Sequence, residues 1–265
     1  PFTFTSNFGV LSAATTSPIW AQNGIFASST SRFENLSVKG ILDFSSTSPA
    51  TSTLISLQGQ PLLAVKSLKN YSFGLNALGL VTTGIENIAL GDSLTNNTQG
   101  NYNFAAGYQA LSANISGSSN TALGVAALLH NTTGDSNFAG GNSALSSNLT
   151  GSNNIAIGDS ALADVSAATD TIAIGNNSGD GNGHNHTGGV YIGSFTGYNL
   201  TGNTANYNTL VGYQSGYHVT TGSNNVLLGA ATSSNTVANL TTGSQNVLIG
   251  SNISFPSATA NGQLN

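Results

Sequence analysis

Two histidines stand in His-x-His spacing inside a glycine-rich stretch that runs from Gly179 to Gly189. In an extended backbone alternate side chains share a face, so His184 and His186 could offer both imidazoles to one metal ion. Three chains around an axis would offer six such nitrogens. A solvated loop with two ordinary histidines accounts for the same residues. Asp180 and Asn182 echo the start of a calcium loop, but no second carboxylate follows at the spacing such a loop uses.

Asparagine in Asn-x-Ser/Thr triplets is the second chemical group that stands out. Asn114, Asn131 and Asn148 recur at steps of 17 residues, a periodic row that a surface edge could present for glycosylation. Asn199 and Asn239 are further acceptor candidates. Carboxylates are the third. Seven acids lie between Glu86 and Asp180, whereas Arg32, Lys39, Lys66 and Lys69, the four basic residues, all precede residue 70. A stretch without cations cannot neutralise phosphates, which excludes nucleic acid and an anionic membrane surface as partners. It also leaves nothing to stabilise developing negative charge, and the reading is of a protein that is not an enzyme and needs no cofactor.

The elements that would position these groups follow from a repeat. Segments ending in glycine align one under another, with the last glycine at Gly74, Gly91, Gly107, Gly124, Gly141, Gly158, Gly175, Gly193, Gly212, Gly229 and Gly250. Seven of the ten intervals are 16 or 17 residues. Four residues earlier an asparagine recurs (Asn137 and Asn154, for example), and seven residues earlier a second glycine, as at Gly134 and Gly151. Glycine and asparagine tolerate positive φ, so two corners per period are expected, joined by a short apolar run such as Ile155-Ala156-Ile157. A second short strand is expected at the Ala-Leu pairs, such as Ala127-Leu128 and Ala144-Leu145. Stacking of such units predicts an all-β parallel solenoid of about eleven coils with a period near 17 residues.

On this frame Asp92 and Asp159 both follow a repeat glycine but stand four coils apart, roughly 19 Å at the spacing of paired strands. That is too far for the carboxyl pair of a glycosidase. The apolar run carries a further expectation. With the flanking residues turned inward, the middle one faces out, yet it is Ala89, Ala105, Ala122, Ala139, Ala156 and Ala173 in six coils. A strand apolar on both faces is buried on both, and the alanine row is expected to be an assembly face.

At these residues the chain resembles the head repeats of trimeric autotransporter adhesins, in which Asn-x-x-Ala-Ile-Gly precedes a small-residue run. Asn154-Ile-Ala-Ile-Gly158-Asp-Ser-Ala161 is the nearest match, and the likeness covers roughly residues 70 to 250. It implies a parallel β-roll, assembled as a homotrimer and displayed outside the cell for adhesion. The period here is longer than in those heads, and long-period repeats of this kind also look like parts of phage tail fibres and bacterial surface proteins.

Composition fits such a setting. Only 5% of the 265 residues are charged, cysteine is absent and 33 residues are glycine. Hydrophobic content of 38% is too high for a disordered tract, and no apolar run is long enough for a transmembrane helix. The chain opens on Pro1, and a leader or upstream segment is expected to have been removed or left out. The expected organisation is an N-terminal strand-rich cap, stem or assembly segment over residues 1–69, the solenoid over 70–254 and a tail over 255–265. Phe2-Thr-Phe4, Leu54-Ile-Ser-Leu57 and Pro61-Leu-Leu-Ala-Val65 read as strands of the first part. The functional expectation is an extracellular structural or adhesive fibre, on a cell or virion surface. Its partners would be copies of itself, as a trimer or filament, with surface glycans or a host receptor as further partners. The receptor-binding shaft of a phage tail fibre is the alternative. An ice- or surface-binding solenoid ranks below both, because the threonines hold no single register.

Overall fold

In a computed structural model the described residues are 51–57, 60–66, 69–74, 76–181, 185–201, 205–230, 240–252 and 256–265, those of 51–66 as backbone only. The chain divides into two compact units, Pro1–Phe44 and Ser45–Asn265. Phe2-Thr-Phe4 lies in the first, outside the described residues; all that follows concerns the second.

That unit is built on one 13-stranded sheet whose strands follow each other in chain order. β1 (Thr51–Leu57) and β2 (Gln60–Lys66) form an antiparallel hairpin, and β2 pairs antiparallel with β3 (Asn70–Phe73). From β3 onward every pairing is parallel: β4 (Ile88–Leu90), β5 (Phe104–Ala106), β6 (Thr121–Leu123), β7 (Phe138–Gly140), β8 (Ile155–Ile157), β9 (Ile172–Ile174), β10 (Val190–Ile192), β11 (Thr209–Val211), β12 (Val226–Leu228) and β13 (Val247–Ile249). Eleven parallel strands, one per coil, make a β-solenoid of about ten turns, and the repeat glycines sit on adjacent rungs as the spacing requires. At the spacing of paired strands these eleven span about 48 Å. The hairpin lies in the same compact unit as the coils rather than with the N-terminal segment, and it pairs with the edge that β3 would otherwise leave open.

The path around a coil is set by four positions of positive φ. The glycine after each strand has φ between +124° and +149° in most coils, as at Gly124 (+138°) and Gly158 (+136°), which admits no other residue cheaply. The other three are at ordinary residues, the first of them two residues after that glycine, where Gln109, Ala126, Ser143 and Ser160 have φ of 55° to 57°. Another is the residue just before the recurrent asparagine: Ser119, Ser136 and Asn153 have φ near +60°. The asparagine itself is not a corner, and neither is the second glycine. A Cβ on Gly100, Gly117 or Gly134 would instead run into the carbonyl oxygen of the equivalent glycine one rung on. Close approach, not positive φ, requires glycine there.

The last left-handed position corrects the expectation of a second strand. Leu111, Leu128, Leu145 and Leu162 all have φ of 52°, which breaks the extended backbone, so the Ala-Leu pairs lie in turns. Their amides still reach the next coil: Leu111 N–H donates to Ala127 O and Leu128 N–H to Ala144 O, both at 2.9 Å. A leucine in this conformation costs about 1–2 kcal/mol, offset by complete burial of its side chain, worth about 1.5–3 kcal/mol.

The C-terminal residues extend the stack. Gly262 takes the left-handed position, Gln263 N–H donates to Asn246 Oδ1 at 2.8 Å, and Leu264 bridges to Val247 in parallel. Residues 260–265 thus trace the opening of a further coil rather than a free tail.

Candidate functional site

The central residue of each strand points inward. Ala89, Ala105, Ala122, Ala139, Ala156 and Ala173 are all completely buried, in register one above another, and their flanking residues face solvent. This reverses the expected orientation. The alanine row is the core, and no copy can pack against it. The reason is width: the space between the strand and the facing turn has room for one large side chain, and the leucine of that turn fills it. Where the strand residue grows, the turn residue shrinks. Tyr191 and Leu210 replace the alanine in β10 and β11, and Gly179, Gly197 and Gly216 replace the leucine. A Cβ on Gly216 would lie 2.5 Å from Leu210 Cδ1, and one on Gly179 would lie 2.6 Å from Tyr191 Cδ2.

The outward residues are apolar too, apart from Thr121 and Thr209. Tyr71, Phe73, Ile88, Leu90, Phe138, Ile155, Ile157, Ile174, Ile192 and Ile249 are between 36% and 62% exposed. No strand from β3 to β13 contains a charged residue. The result is a flat apolar face roughly 48 Å by 10 Å on strand dimensions.

Beside the alanine core run two asparagine ladders. In the first, Asn137 is saturated: its Nδ2 donates to Asn120 Oδ1 (3.1 Å) and Gly151 O (2.8 Å), while its Oδ1 accepts from Asn154 N (3.1 Å) and Nδ2 (2.9 Å). Two donors and two lone pairs are all an amide has, so burial of this group carries no unpaired penalty. The second ladder is Asn97, Asn114, Asn131 and Asn148. Asn114, Asn131 and Asn148 each donate to the asparagine one coil before at 2.7 to 2.9 Å, and each donates also to the glycine carbonyl three residues on. Asn114, Asn131 and Asn148 are wholly buried. The expected glycan row is thereby corrected: an acceptor amide must reach an enzyme, and these three are committed inside the coil. Asn199 is half-buried with Nδ2 donating to Tyr217 O at 2.9 Å, and Asn239 lies outside the described residues.

His184 also lies outside the described residues. His186 is completely buried, packed edge-on to Tyr191 with ring centroids 6.0 Å apart. Among the described residues no three His, Asp or Glu side chains converge as a metal site. The Tyr191 hydroxyl is buried with no hydrogen-bond partner, and desolvation raises its pKa well above that of an exposed phenol. Asp92 is half-buried and Asp159 exposed; the glycines preceding them are four rungs apart, and Asp159 is engaged by Ser160 Oγ at 3.1 Å.

No family model, no curated protein and no solved structure matches this chain.

Tyr198, Tyr213 and Tyr217, for which the sequence favours coil packing over sugar stacking, belong to a chain of five rings in the turns after β10 and β11. Tyr213 meets Phe195 (6.5 Å), Phe195 meets Tyr198 (5.7 Å), Tyr198 stacks on Tyr217 (5.5 Å, 13°) and Tyr217 meets His218 (5.2 Å). Its sequence signal is an aromatic residue just after the turn glycine, Gly197-Tyr198 and Gly216-Tyr217, found in these coils alone.

Proposed function

We propose that this protein is a non-enzymatic structural and adhesive fibre element, displayed outside the cell, that assembles with copies of itself through the outward face of its sheet. The observation that supports this reading is the uncharged apolar face of β3 to β13. Its footprint is about 500 Å² from strand dimensions, as large as the largest patch on an ordinary monomer, before exposed neighbours such as Tyr108 and Val125 are added. A second sheet of the same kind, packed about 10 Å away, would cover it along its length. A copy related by a rotation axis presents the same face to that axis, equal in length and apolar character, which favours another copy as the occupant. The match of Asn154-Ile-Ala-Ile-Gly158 to adhesin head repeats supports the same reading and favours a trimer, and the uncharged amide-and-hydroxyl surface suits exposure outside the cell.

The test replaces two outward residues, Ile155→Asp with Ile174→Asp, and measures mass by light scattering. The parent is expected to run as an oligomer and the variant as a monomer with an unchanged circular dichroism spectrum. A parent that stays monomeric at high concentration, with no filament in electron micrographs, would sink the assembly reading.

A further inference from the structure

The five-ring cluster has a chemistry that the apolar sheet face lacks. We infer that the turns after β10 and β11 form a binding subsite for a neutral glycan chain, with Tyr213, Tyr198 and Tyr217 as its stacking platform. This deepens the adhesive part of the proposed function and rests on it for its biological setting, though not for its geometry.

Three observations lead to this ligand class. The first is orientation. Parallel rings 5.5 Å apart at 13° are offset rather than face to face, so part of each face of Tyr198 and Tyr217 is clear of the other. Phe195 holds Tyr198 and Tyr213 edge-on at 70° and 88°, which fixes both rings before any ligand arrives. Tyr213 is 48% exposed, and the other four rings are half-buried. Pre-set rings with open faces suit the C–H face of a pyranose, which needs a flat, weakly polar surface.

The second observation is the polar surround. Asn199 is held beside the platform by its bond to the Tyr217 carbonyl, and Gln214 lies between Tyr213 and Tyr217 in the same turn. Amides offer both donor and acceptor to hydroxyl groups. The third is charge. No acid follows Asp180 and no Lys or Arg follows Lys69, so both aromatic turns lie in an uncharged stretch. Such a surface gives an anionic polysaccharide no counter-charge and matches a neutral one. The same aromatic residues are absent from the equivalent turns of the earlier coils, where that place holds Ser112, Leu129, Ser146 and Ala163. Packing within a coil therefore does not require them.

Affinity electrophoresis through gels containing galactomannan, xyloglucan, mixed-linkage β-glucan or alginate tests the subsite. The parent is expected to be retarded by at least one of the three neutral polymers, with retardation retained in 1 M salt, and not by alginate. Tyr213→Ala and Tyr217→Ala should each weaken it at least tenfold, and Tyr108→Ala, an exposed tyrosine on an earlier coil, should not. Tyr213 is the most exposed ring of the five, so its variant tests the site even if Tyr217→Ala melts early. Absence of retardation by every neutral polymer overturns the inference, as does retardation that survives Tyr213→Ala with Tyr217→Ala. The Ile155→Asp, Ile174→Asp variant separates this from the assembly reading. A monomeric variant that still binds supports a single-chain subsite, and binding lost together with assembly overturns it.

Discussion

Asp180 shows how one residue can work against the coil that holds it. It is buried, its Oδ1 accepts the Asp164 backbone N–H at 3.0 Å, and desolvation, with the charge of Asp164 adding, raises its pKa from 3.8 to about 6. A carboxyl whose folded pKa lies above its unfolded one binds its proton more tightly in the folded state. Its favourable contribution is complete below the unfolded value and is lost as pH rises through about 6. At neutral pH the ionised group is therefore a net cost, at most about 3 kcal/mol. Asp180→Asn keeps an acceptor for Asp164 and removes the charge. It should raise the melting temperature at pH 7 and leave it unchanged near pH 4. An equal shift at both pH values would show that charge is not the cause.

At the scale of the element, the strand and the turn share one volume. Leu145 is followed one rung on by Ala156, and later coils use the opposite pairing of turn glycine with strand leucine or tyrosine. Leu145→Gly alone should lose about 2–5 kcal/mol through the cavity it leaves, and Ala156→Leu alone should overpack the coil. The two together should recover at least half of the single losses in a double-mutant cycle from urea melts. Additive losses would mean that the two positions do not face each other.

That same pairing shows what was legible in the sequence. The rung spacing, the parallel stack and β1 and β2 could be read from glycine periodicity and alternation. The inside and outside of each strand could not be read from residue type alone, because Ala156 and Ile155 are both apolar. The useful clue was comparison of coils. From β4 to β9 the second strand residue stays alanine, and it grows only once the turn leucine has become glycine, whereas the first varies among Ile, Phe and Thr. Constraint of size marks the interior. The asparagine rows misled for a related reason: their period was visible, but a buried amide ladder and a surface acceptor row have the same spacing. The tyrosines could be named from sequence as possible stacking faces, but not their meeting, because Tyr198 and Tyr217 are 19 residues apart and touch only once the coils stack.

For the whole stack, the ladders are unequal along its length. Both run through coils around Asn114 to Asn148, whereas in the first ladder Thr171 and Gly189 stand where asparagine stands elsewhere, and it resumes at Asn208. Val165 and Leu200 replace the second ladder there. Each rung contacts only its neighbours, so local stability follows local bonding. Amide hydrogen exchange should be slowest between residues 120 and 154 and faster by tenfold or more between 171 and 189. Uniform protection along the stack would show that the ladders do not set it.

Between Asn103 and Asn154 each asparagine of the first ladder accepts from its equivalent one coil on, so within that stretch the same bonds recur after a whole turn. Removing Gly117–Thr133 would bring Asn103 against Asn137, Ala105 against Ala139 and Leu111 against Leu145, the same types that meet now. A change of one or two residues has no such match. Length in this protein is therefore a counted quantity, about 4.8 Å for each unit added or dropped. Recombination between near-identical units would produce longer and shorter reaches from one surface chemistry, with the interior never having to be solved again.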